Sequence, residues 1–108
     1  MEKNLIIITE YCRNSNIEDQ FIILLKNEGL IETQFVDGNE YLYITQLGDI
    51  EKYARWYYDL SINIEGIDII QGLLKKVEDM QEELFKLRKT IDSYKHKESF
   101  DFDNDLFN

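Results

Sequence analysis

Leu5-Ile6-Ile7-Ile8 is an apolar, largely β-branched run and predicts a short strand or extended segment. Thr9 is the expected cap of a short helix, Glu10 to Asn14, with Glu10 set against the positive end of its dipole. Asn14-Ser15-Asn16 carries turn chemistry. A second helix is expected from about Glu18 to Glu28, stopped by Gly29, which accepts the left-handed stop geometry. Helix, short polar turn and helix make a helix-turn-helix. Next, Phe35-Val36 and Tyr41-Leu42-Tyr43 are β-prone runs separated by Asp37-Gly38, which signals a hairpin. A hairpin behind such a helix pair is a wing. Thr45 is the expected cap of a third helix, in which Leu47, Ile50, Tyr53, Ala54, Tyr57 and Leu60 fall on one face. Ser61-Ile62-Asn63 breaks the pattern. Asn63 can cap the next helix, and Ile62 before the cap can staple onto Ile67.

That last helix is the longest expected element, about Ile64 to Lys95, on the order of 48 Å from the rise per residue. Ile70, Val77, Leu84 and Ile91 recur every seventh residue. Leu73, Met80, Leu87 and Tyr94 do the same, offset by three, so two heptad seams run its length. Folded along its own domain, the helix could use Ile67, Ile70 and Leu74 but would leave its distal half uncovered. The pattern therefore predicts a homodimer through Ile70, Leu73, Val77, Met80, Leu84, Leu87 and Ile91. The fold class is mainly α: a winged helix-turn-helix with a short β-hairpin wing, then a long C-terminal coiled-coil dimerisation helix. Residues 1–62 form the expected winged-helix domain with its third helix, and 63–96 the dimerisation helix. Residues 97–108 are an acidic tail, expected to be flexible, in which Phe100, Phe102 and Phe107 alternate with acids.

Charge changes the picture that this outline suggests. The chain carries 22 acidic against 12 basic residues, a net charge of −10 and a pI near 4.4. Duplex DNA is bound largely by neutralising phosphates with Lys and Arg, so this balance opposes DNA and favours a basic partner. A content of 44% hydrophobic and 13% aromatic residues supplies enough apolar surface for one modest domain with an appendage. Cys12 is the single cysteine, which excludes a disulfide within the chain and fits a reducing cytoplasm. The apolar run from Leu5 to Ile8 is too brief for a signal peptide or a membrane span, so a cytoplasmic protein without membrane contact is expected.

Catalytic and cofactor chemistry is not expected. Cys12 and His96 cannot furnish a zinc site alone, and the five glycines form no phosphate loop. His96 stands far along the chain from Cys12, and the paired acids Glu78-Asp79 and Glu82-Glu83 lie on a helix surface. Tyr53, Trp56, Tyr57 and Tyr58 could stack nucleic-acid bases, but only Lys52 and Arg55 stand near them, so a packed core with one or two partly exposed rings is expected. Cys12 is expected to be a small core residue facing Phe21.

Ile8-Thr9-Glu10-Tyr11-Cys12, the turn to Ile17, Glu28-Gly29-Leu30-Ile31-Glu32, the wing at Tyr41 to Tyr43 and Leu60-Ser61-Ile62-Asn63-Ile64-Glu65-Gly66-Ile67 resemble the chaperone modulator CbpM family over about residues 5 to 95. The order of elements also resembles the MerR regulators. Those readers usually place an Arg and a Tyr on the second helix against the DNA backbone. Counted back from Gly29, the matching positions here are Ile23 and Leu24. Residues 1–60 hold five basic side chains (Lys3, Arg13, Lys26, Lys52, Arg55) against eleven acidic ones. The resemblance implies an inhibitor of a CbpA-like, DnaJ-type co-chaperone, bound through its J domain. Glu18, Asp19, Glu28 and Glu32 are the expected acidic contacts, with Ile23 the apolar one. The alternatives are a MerR-like transcriptional regulator binding DNA, carried by architecture alone, and a structural coiled-coil adaptor. In a parallel dimer Glu83 would approach Arg88 of the second copy, whereas the MerR-like layout implies antiparallel pairing.

Overall fold

Residues 4–98 are described in the computed structural model, and the chain divides into two units, Met1–Ile70 and Gln71–Asn108. From residue 99 onward, the expected tail lies outside the described residues. The first unit begins with β1 (Leu5–Ile7), which runs directly into α1 (Ile8–Asn14). The expected cap at Thr9 is not formed. Ile7 holds the cap position in extended backbone, without a side-chain hydrogen bond, because β1 pairs through Ile7 with Tyr41 and delivers the chain straight into the helix. Ser15 ends α1 by donating its hydroxyl to the Tyr11 carbonyl at 2.8 Å. The turn through Ile17 then leads to α2 (Asp19–Asn27).

α2 stops as expected. Gly29 takes a φ of +80°, and its N–H donates to the Lys26 carbonyl while the Leu30 N–H donates to that of Leu25. These two bonds satisfy carbonyls that the helix end would leave open. β2 (Thr33–Val36) and β3 (Asn39–Tyr43) form the wing around Asp37 and Gly38, both with positive φ, as a two-residue hairpin turn with right-handed twist requires. The sheet is antiparallel in the order β1-β3-β2, so the first strand adds to the wing and makes β3 central.

A tight 3₁₀ turn, Ile44–Gln46, precedes α3 (Leu47–Ala54). Thr45 therefore lies inside that turn and caps nothing. Gln46 occupies the cap position, and its amide instead holds the peptide of Glu32: Nε2 donates to the Glu32 carbonyl at 2.8 Å, and Oε1 accepts from its N–H at 2.9 Å. After α3 the chain widens into a π turn, Arg55–Asp59. This overturns the expectation that Leu60 completes the apolar face. A π turn adds residues to the helical circuit and rotates the chain beyond it, so Leu60 emerges 63% exposed. Ser61 turns the chain with a φ of +57°, and Ile62 packs on the core instead.

Asn63 caps α4 (Ile64–Glu98), accepting the Gly66 N–H at 2.8 Å. The first unit's core gathers Tyr11, Phe21, Ile22, Leu25, Leu42, Ile50 and Tyr53, with Ile17 and Ile31 from the connections and Ile64 and Ile67 from the start of α4. The described part of the second unit is the rest of α4. There Leu73, Val77, Met80, Leu84 and Leu87 are all exposed, as are Leu74 and Phe85 off the seams.

Candidate partner-binding surface

The outward face of α2 carries what the helix does not bury. Phe21, Ile22 and Leu25 turn inward, which leaves Ile23 and Leu24 outside, with Ile23 51% exposed. Ile23 and Leu24 thus leave two large aliphatic side chains to solvent on a short helix. Asp19 precedes Ile23 by one helical turn and Lys26 comes three residues later, so all three share a face.

Opposite this face hangs the wing. Phe35 pairs with Glu40 across the hairpin, in the same parity as the buried Leu42, yet it is 64% exposed because it lies nearer the turn than Leu42 does. Between wing and helix runs a groove of about 360 Å³, floored by Ile7, Ile8 and Ile22 and flanked by Ile23 and Phe35. Thr9, Asp19, Lys26, Asn39 and Glu40 are its polar members. Lys26 Nζ donates to Glu40 Oε2 at 2.6 Å and sits 5.3 Å from the Phe35 ring centroid. Thr33 Oγ1 donates to the same Glu40 oxygen at 2.6 Å. These two donors hold the Glu40 carboxyl below its ordinary range, so it is ionised at neutral pH. The cation in the last turn of α2 is thus committed to a carboxylate, and using it on a phosphate would mean breaking that pair.

The expected contact residues do not form one patch. Glu18 stands at the cap position before α2, and Asp19 and Ile23, its first and middle residues, both line the groove. Glu28 stands at the other end, on the order of 13 Å away along the axis, and Glu32 beyond it is fixed through its backbone by Gln46. All five are exposed. Phe35 and Glu40 were missing from the expected set. The one sequence signal for them was an aromatic residue two positions before the Asp37-Gly38 turn.

A shallower, more polar hollow on the other side of Asp19 includes Cys12, Arg13 and Glu18. Burial, together with a hydrogen bond to the Asp19 carboxylate, pushes the Cys12 thiol up to about 12, so the nucleophilic thiolate is scarce at neutral pH. The aromatic cluster is mostly packed: Phe21 meets Tyr57 at 4.8 Å and Tyr58 at 5.3 Å, while Lys52 lies 5.5 Å from the Trp56 ring. Among the described residues no group of three or more His, Cys, Asp or Glu is arranged to hold a metal ion, and no helix is long and apolar enough to cross a membrane.

Helix-turn-helix, three-stranded wing and long terminal helix define a winged helix-turn-helix protein of the regulatory type. The family described as MerR HTH family regulatory protein matches the chain over residues 6–89, and the chain belongs to it. No curated protein and no solved structure matches the chain.

Proposed function

We propose that this MerR-family chain is a chaperone modulator of the CbpM kind. It binds the J domain of a CbpA-like, DnaJ-type co-chaperone in the cytoplasm and inhibits that partner's stimulation of Hsp70, without catalysis of its own. The observation that carries this reading is the apolar outward face of α2. Ile23 and Leu24 are exposed where DNA readers of this architecture place phosphate-binding side chains. The acidic excess and the resemblance in the Ile8–Cys12 and Ile62–Ile67 segments point the same way. J domains present a basic helix to Hsp70, and an acidic surface with an apolar centre is a suitable competitor for it.

The test is Hsp70 ATPase stimulated by a J protein from the same cell. The parent chain should suppress the stimulated rate and leave the basal rate unchanged. Replacing Glu18, Asp19 and Glu28 with Lys should slow association, most visibly at low salt, because steering by charge acts mainly on the on-rate. Undiminished inhibition by that variant would move the contact off the acids of α2. A parent without effect on any such J protein would end the reading.

The family match itself favours a second reading, a DNA-binding regulator. It requires a duplex complex whose affinity falls steeply with salt. A footprint at submicromolar protein and physiological salt would establish it over the first.

A further inference from the structure

We infer that the groove between α2 and the wing is an anchoring slot for one amphipathic helix of a protein partner, a helix that carries Lys or Arg beside its apolar face. The inference rests on the protein-binding reading of α2 and adds to it where the partner sits and what it must present. At about 360 Å³ the slot lies at the bottom of the roughly 300–1,000 Å³ range of ligand pockets, enough for a few side chains and small for a large cofactor. Ile7, Ile8, Ile22, Ile23 and Phe35 supply its apolar lining, and Ile23 and Phe35 are exposed, which suits anchors spaced i and i+4 on an approaching helix.

Charge selects the occupant. Asp19 and Glu40 line the slot as carboxylates, and Lys26, its single basic lining residue, is already bonded to Glu40. Both donors on Glu40 use Oε2, so Oε1 accepts no hydrogen bond among the described residues and keeps its lone pairs for an incoming cation. A nucleic-acid backbone would bring its phosphates against these carboxylates. A helix with acidic flanks would meet the same repulsion.

The experiment titrates the ¹⁵N-labelled full chain with a synthetic Leu/Lys amphipathic peptide. Two further titrations use its Leu/Glu twin, with the same apolar face, and a random-sequence DNA duplex. Amide shifts centred on Ile8, Ile23, Phe35 and Gly38 are expected with the Lys peptide, at least five-fold tighter than with either other probe. Phe35→Ala and Ile23→Ala should each weaken the Lys peptide at least five-fold with unchanged far-UV circular dichroism, both side chains being exposed. Shifts centred elsewhere, equal binding of the Glu twin, tighter binding of the duplex at these amides, or full affinity in both variants would each overturn the inference. The J-domain reading is separated by its own arm. If the parent inhibits J-stimulated ATPase and Phe35→Ala inhibits equally, the groove assignment is wrong and the modulator stands. If the peptide docks as stated while the parent leaves every J protein unaffected, the groove stands and the modulator reading falls.

Discussion

Tyr11 shows how single side chains in this fold trade burial against polarity. The residue is buried in the core, and its hydroxyl has no hydrogen-bond partner among the described residues. Burial first, and then the nearby Glu51 charge, pushes its ionisation upward. An unpaired buried hydroxyl costs stability, so Tyr11→Phe should leave the protein as stable or raise its stability by about 1 kcal/mol. Urea denaturation checks this, and a loss of that size would mean that the hydroxyl has found a partner. Glu40 makes the opposite case. Its carboxyl is held low by Lys26 and Thr33, so its contribution is fully present at neutral pH. That contribution is lost as pH falls from the ordinary value of 4.5 through the lowered one. The pair is partly exposed, and solvent screening limits it to no more than about 1 kcal/mol. The melting-temperature gap between parent and Glu40→Gln should therefore narrow as pH drops from about 7 to about 3.

At the scale of elements, two glycines in α4 separate propensity from packing. A side-chain carbon at Gly66 would meet Ile62 Cγ2 at 2.9 Å and the capping Asn63 Oδ1 at 3.1 Å. The capping Asn63 and the core-packed Ile62 thus crowd one position. Gly72 has open space around it. By helix propensity alone, alanine at either site should gain roughly 0.8–1 kcal/mol. Gly72→Ala should realise most of that gain as higher helicity and a raised melting temperature. Gly66→Ala should show none of it and destabilise instead, by about 1 kcal/mol, as Ile62 is pushed off the core. Equal stabilisation in both variants would mean that Ile62 can move aside at little cost.

For the whole molecule, the exposed seam of α4 is the dominant fact. The helix is 35 residues long, about 52 Å, and from Leu73 to Leu87 its seam residues are exposed. Leaving that many large side chains in water forfeits roughly 1.5–3 kcal/mol apiece relative to full burial. We propose that a second copy covers them through Ile70, Leu73, Val77, Met80, Leu84, Leu87 and Ile91. The double variant Val77→Asp, Leu84→Asp should halve the mass seen by light scattering while the first unit keeps its near-ultraviolet signal. An unchanged mass would reject the dimer, and loss of the near-ultraviolet signal would show that the two units fold together.

Local chemistry made much of this legible in the sequence. Gly29, Asp37-Gly38 and Asn63 act through backbone geometry and one or two neighbouring hydrogen bonds, so the helix stop, the hairpin and the cap of α4 were readable there. The heptad repeat was equally plain, because periodicity on one helix needs no knowledge of its surroundings. Other features depended on distant partners. Thr9 and Thr45 looked like caps but were overruled, the first by pairing of Ile7 with Tyr41, the second by a 3₁₀ turn whose Gln46 reaches back to Glu32. Leu60 kept the helical spacing and still left the face, because the π turn changed the count of residues per circuit. The groove belongs to the same class. Phe35 and Glu40 join Asp19 and Ile23 only when the wing folds against α2, and no spacing along the chain encodes that meeting. Residue order alone set the stop of α2, the turn of the wing, the cap of α4, its heptad seams and the net charge. Packing settled which apolar side chains stayed outside and which carboxylates came to stand beside them, since exposure and proximity are properties of packed elements and not of their order.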